Sequence, residues 1–118
     1  MTKIKTRRIY DKMKEDGGIR ILVDRLWPRG VSKEEAQLDY WLKELGPSNE
    51  LRKWFNHEGK KFAQFKEKYK EELKQGDQQE AFIKLKEIIK ETDKDITLLF
   101  GAKDEENNNA KVLEEVIQ

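Results

Sequence analysis

Ile19-Arg20-Ile21-Leu22-Val23-Asp24-Arg25-Leu26-Trp27-Pro28-Arg29-Gly30 is the stretch on which the fold turns. Its first five residues make a short, mostly apolar run rich in β-branched side chains, the pattern of a buried strand. A carboxylate and an arginine then appear where the strand ends. They are followed by an aromatic, a rigid proline, a second arginine and a glycine. In open α/β sheets, ligands bind beyond the carboxyl ends of the strands. Residues 24–30 therefore mark a candidate site.

A second uninterrupted apolar run, Ile96 to Phe100, reads as another core strand. The intervening chain is long enough for a crossover, so the two strands can lie parallel. Their carboxyl ends then open on one edge of the sheet. Lys3 to Tyr10 alternates loosely and reads as an edge strand, with Asp16-Gly17-Gly18 as a turn signal after it. The direction of this first strand stays open. Its link to the second is too short for an ordinary crossover helix, and an antiparallel hairpin is the simplest alternative.

Between the core strands the pattern is helical. Ser32 with Glu35 three residues on forms a capping box, and Leu38, Trp41, Leu42 and Leu45 keep a helical period up to Gly46-Pro47. Ser48 caps a shorter helix with Leu51, Trp54 and Phe55 on one face, and Asn56 to Gly59 is a turn. Phe62, Phe65, Tyr69 and Leu73 predict a helix over 60–75 that Gly76-Asp77 stops. Ala81, Phe82, Leu85, Ile88 and Ile89 mark a fourth. Val112, Leu113, Val116 and Ile117 belong to a last helix over about 104–117. Trp41, Trp54 and Phe65 are expected in the core. The expected fold is a small three-layer α/β domain spanning 1–118. It has a short, mostly parallel sheet of about three strands and about five helices.

Composition narrows the function classes. The chain has 118 residues and no cysteine, so disulfides, cysteine nucleophiles and thiolate metal sites are excluded. No apolar stretch approaches a membrane span, and the expected setting is the cytoplasm. The 25 basic and 24 acidic residues nearly balance, which gives no global attraction to nucleic acid. Locally, Lys3, Lys5, Arg7, Arg8, Lys12 and Lys14 face only Asp11 among the first 14 residues. Lysines on an edge strand also discourage aggregation.

The shared strand edge brings Asp24, Arg25 and Arg29 towards Lys103, Asp104 and the residues after them. Gly101-Ala102 allows a close turn, and Asp104 is placed to cap the last helix. Asn108 and Asn109 continue that helix's buried stripe, where amides need partners. Arg25, Arg29, Lys103, Asn108 and a helix N-terminus favour an anion. Asp24 and Asp104 are the candidate catalytic residues, as a general base or as oxygen ligands of a divalent cation such as magnesium. In the purely structural alternative Asp24 pairs with a neighbouring cation and Asp104 only caps. Trp27 either plugs the sheet edge or stacks on a ligand ring. His57, the only histidine, is expected to make a loop hydrogen bond.

Leu22-Val23-Asp24-Arg25-Leu26-Trp27-Pro28-Arg29-Gly30 is part of a wider resemblance. So are Ser32-Lys33-Glu34, Trp41-Leu42, Pro47-Ser48, Leu51-Arg52-Lys53-Trp54-Phe55 and His57. Thr97-Leu98-Leu99, Ala102-Lys103-Asp104-Glu105-Glu106 and Asn108-Asn109-Ala110 complete it. Together they resemble the YeaO-like branch of domain-of-unknown-function family 488, over nearly the whole chain. The resemblance implies a compact α/β domain of cytoplasmic bacterial proteins without an established general activity. Members commonly carry histidine where this chain has Asn107, which argues against histidine-dependent chemistry there. Three functions are expected to compete. One is binding of a phosphate-bearing small molecule or nucleotide. Another is metal-assisted phosphoester or nucleic-acid hydrolysis through Asp24 and Asp104. The third is nucleic-acid binding by the basic first strand. No membrane partner is expected.

Overall fold

The computed structural model describes residues 3–11 and 18–117. Most of the predicted Asp16-Gly17-Gly18 turn, together with Lys12 and Lys14, lies outside the described residues. Four strands, β1 (Ile4–Arg8), β2 (Ile19–Leu22), β3 (Tyr40–Trp41) and β4 (Ile96–Phe100), form one sheet in the order β1-β4-β2-β3. Every pairing is parallel. β4 is buried along its whole length because it has a strand on each side and layers on both faces. The helices are α1 (Lys33–Ala36), α2 (Asn49–Phe55), α3 (Phe62–Glu72), α4 (Gly76–Glu91) and α5 (Asn109–Ile117). The expected three-layer α/β architecture is thus present, with one more strand than foreseen.

Side-chain alternation divides the sheet into two unequal faces. Ile21, Val23, Ile96, Leu98 and Phe100 point into the main core, where they meet Phe65 and Tyr69 of α3, Leu85 of α4 and Leu113 of α5. Leu22 and Leu99 point the other way, to a thin layer made by Ile9, Ala36, Trp27, Val31 and Leu38.

Two expectations about the chain path are corrected. β1 does not form a hairpin with β2. It lies on the far side of β4, with Ile4 opposite Ile96 and Arg8 opposite Phe100. The helical stripe expected from Leu38 to Leu45 also breaks. The Ser32 capping box forms, with Ser32 Oγ accepting from the Glu35 amide and Glu35 Oε1 accepting from the Ser32 amide, each at 3.0 Å. The helix nevertheless ends after one turn. The Arg20 guanidinium donates to the Ala36 carbonyl at 2.9 and 3.1 Å, and Gln37 turns left-handed at φ 45°. Asp39 then bonds the Arg20 backbone in both directions, and Tyr40–Trp41 joins the edge of β2 as β3. Aromatic residues suit such an edge strand, and the open β2 ladder outweighs the helical spacing.

Trp41 is consequently 39% exposed rather than core. Its Nε1 donates to the Asp24 carbonyl at 2.8 Å and its ring meets Trp27 edge-on at 5.3 Å. Trp54 is only half-buried, with Lys61 and Lys68 each 5.0 Å from its ring centroid. Phe65 is buried as expected. Ser48 caps α2 by accepting from the Leu51 amide, as its position predicts.

Candidate functional site

Parallel register brings the loops after β2 and β4 together. Leu22 lies opposite Leu99, so two residues further on Asp24 meets Gly101, and Asp24 Oδ2 accepts from the Gly101 amide at 2.8 Å. From these neighbouring strands the chain leaves in opposite directions. After β2 it runs to the thin layer and Ala36, and after β4 it runs to α5 in the main core. This divergence opens a crevice at the carboxyl edge, the usual place for a ligand in such sheets.

A cavity of about 350 Å³ occupies that crevice. The loop after β2 gives it Asp24, Arg25 and Leu26, and Pro47 precedes α2. α2 and its end supply Arg52, Lys53, Phe55, Asn56 and His57. Phe65 comes from α3, and Ala102, Asn107, Asn108 and Asn109 come from the far wall. Of the expected site residues, Asp24, Arg25 and Asn108 line it. Trp27, Arg29, Lys103 and Asp104 do not. Trp27 Nε1 donates to the Val31 carbonyl at 2.7 Å and its ring packs over the thin layer, as a plug. The Arg29 carbonyl accepts from the Tyr10 hydroxyl and its residue is exposed, as is Lys103.

The expected helix start is also corrected. α5 begins at Asn109, not at 104. Asn108 is its cap, with Oδ1 accepting from the Lys111 amide at 3.0 Å. Asp104 instead folds the preceding loop. Its Oδ1 accepts from the Glu106 and Asn107 amides, and its Oδ2 accepts from the Asn107 side chain. Those donors, the Asn107 side chain first, hold its carboxyl below the ordinary aspartate value.

Asp24 is in the opposite condition. Burial pushes its carboxyl above the ordinary value. The Gly101 amide, the Asn109 side chain and the charges of Arg52 and His57 pull it part of the way back. Asn109 Nδ2 donates to Asp24 Oδ1 and to the Val23 carbonyl, each at 3.1 Å, so this core-facing amide has found its partners. Behind it the wholly buried Tyr69 donates its hydroxyl to the Leu45 carbonyl, and burial raises its pKa well above the usual phenol value.

The cations line the nearer wall. Arg25 spends its guanidinium on backbone, with Nε donating to the Pro47 carbonyl at 3.2 Å and an Nη to the Gly46 carbonyl at 2.9 Å. Gly46 also lets the two backbones pass closely, since a Cβ there would lie 2.6 Å from the Arg25 backbone nitrogen. Arg52 bonds Asn49 through one Nη at 2.8 Å, and its buried Nε has no partner among the described residues. His57 is placed on the cavity wall by two successive left-handed residues, Asn56 at φ 47° and His57 at φ 56°. Arg52, Lys53 and His57 were not expected as site residues. The available signal was their place in the family-like stretch from Leu51 to His57.

The donor set does not suit a magnesium ion bridging Asp24 and Asp104. Each carboxylate is engaged by N–H donors, and only Asp24 faces the cavity. Among the described residues no three His, Cys, Asp or Glu side chains gather as a metal-binding group. No described helix is long and apolar enough to cross a membrane.

A family model described as the inactive DUF488-N3 subclade matches residues 3–118. The chain is 46% identical over 110 residues to the uncharacterized protein YeaO of Escherichia coli (strain K12), covering 93% of this chain and 92% of that protein. Uncharacterized proteins of Mycobacterium tuberculosis (strain ATCC 25618 / H37Rv) and Mycobacterium bovis are each 40% identical over 72 residues, 61% of either chain. No solved structure matches.

Proposed function

The chain belongs to the inactive DUF488-N3 subclade, and from that premise we propose that it is an anion-binding domain. It takes a phosphate-bearing small molecule in the crevice between β2 and β4 and holds it without turnover. The observation that carries this reading is the gathering of cationic side chains on one cavity, with Arg52 and Lys53 adjacent on its wall. Like charges gathered on one wall repel one another, and an anion among them would form charge-assisted bonds. Arg25, Lys53 and His57 line the same cavity against a single carboxylate, Asp24. The first turn of α5 adds the positive end of a helix dipole. The family's description as inactive supports binding rather than turnover, as does the separation of Asp104 from the cavity.

Isothermal titration with inorganic phosphate and pyrophosphate tests the reading. The native protein should bind. Arg52→Gln should weaken binding by about tenfold or more, the loss of one charge-assisted bond. Lys103→Gln, outside the cavity, should leave affinity within about twofold. Unchanged affinity in Arg52→Gln, with its circular dichroism native, overturns the proposal.

A further inference from the structure

The crevice offers more than a phosphate needs. Its volume of about 350 Å³ falls within the range of pockets that enclose small organic molecules, roughly 300–1,000 Å³. Its walls also differ in character. Arg52, Lys53 and His57 come together from the end of α2. Leu26, Pro47 and the stacked pair Phe55 and Phe65, 4.4 Å between centroids, supply an apolar side. Leu26 stands at 60% exposure, the most exposed of the large apolar residues identified in the fold. It lies on the cavity wall, where a ligand would cover it.

We infer that the ligand is a phosphate monoester whose other end is a flat apolar ring, an inference that rests on the anion-binding reading. The phosphate lies against Arg52 and Lys53, and the ring lies against Leu26 and the phenylalanine floor. Asp24 lines the same cavity. Each of its oxygens already accepts one N–H, which leaves lone pairs for a donor on the ring or its linker. Covering Leu26 removes apolar surface from water, which a bare phosphate cannot do.

Phenyl phosphate, inorganic phosphate and phenol separate the contributions by titration calorimetry. Phenyl phosphate should bind the native protein at least about tenfold tighter than inorganic phosphate, and phenol should bind far more weakly than either. Leu26→Ser, a change at an exposed residue that spares the core, should remove most of the advantage of phenyl phosphate. It should leave inorganic phosphate unchanged. Arg52→Gln should weaken both phosphates together. Equal affinity for the two phosphates, or a Leu26→Ser variant that keeps the full advantage, overturns the ring and leaves anion binding standing. Phenol binding as tightly as phenyl phosphate, or no binding by either phosphate, overturns both readings.

Discussion

Asn109→Ala should be among the most informative substitutions in this fold. Asn109 Nδ2 donates to the Val23 carbonyl and to Asp24 Oδ1, and the residue is nine-tenths buried. A hydrogen bond to a charged group contributes about 1.5–3 kcal/mol and one to a neutral carbonyl about 0.5–1.5 kcal/mol. Alanine's better helix propensity returns only a few tenths. The net loss near neutrality is about 2–4 kcal/mol. With a urea slope of about 2 kcal/mol/M, the midpoint falls by roughly 1–2 M. The loss must also depend on pH. Burial raises the Asp24 carboxyl, so the protonated form stabilises the native state, and that contribution is lost as pH rises through the raised native value. Asn109 is one of the donors that make the ionised form tolerable, and deleting it raises Asp24 further. The cost is therefore largest above the raised Asp24 value and shrinks as pH falls through it, where a neutral carboxyl needs the donor less. Urea titrations on either side of that value decide it. A loss under about 1 kcal/mol, or one equal on both sides, would refute the role given to this amide.

Phe65→Ala should destabilise by about 3–5 kcal/mol in denaturant titration, whereas Trp41→Ala should cost much less because the ring is partly exposed at an edge strand. Gly46→Ala forces a Cβ onto the backbone nitrogen of Arg25, so it should lower thermal stability and loosen the cavity wall together, read by melting and by phosphate titration. Ser48→Ala removes the cap of α2 and a hydroxyl bonded to Glu72 at 2.5 Å, and should cost about 1–2 kcal/mol by the same urea assay.

The sequence pattern disclosed the elements whose fate is local or strongly apolar. Ile19–Val23 and Ile96–Phe100 had no other home than a buried sheet, and their long separation left room for the parallel crossover. Ser32 and Ser48 announced helix starts through capping chemistry. The stripe Leu38-Trp41-Leu42-Leu45 misled because its spacing also fits a strand followed by a single helical turn. The pairing of Asp39 with Arg20, which decides between them, is a tertiary contact. At the site, Asp24 and Asn108 could be placed by counting from the strand ends. Asp104 was misplaced because a capping residue and a residue folding a loop carry the same local signature. Arg52 and His57 were missed because only packing of α2 against α3 brings its end over the crevice. Nothing in the spacing of Leu51 and Phe55 says which way that end faces.

The central position of β4 has a consequence for how the chain is born. β1 and β2 each lie against β4, and Ile4 must wait for Ile96, about 90 residues later. At about 5–20 residues per second of synthesis, the first strand emerges roughly 5–20 s before β4, its strand partner among the described residues, exists. Through that interval the nascent chain carries the apolar faces of Ile21, Leu22 and Val23 without the strand that will cover their edge. A sheet assembled from such distant partners also forms slowly once complete. A nascent polypeptide ending before residue 96 leaves β1 without β4, so assembly of this sheet waits on the synthesis of its central strand.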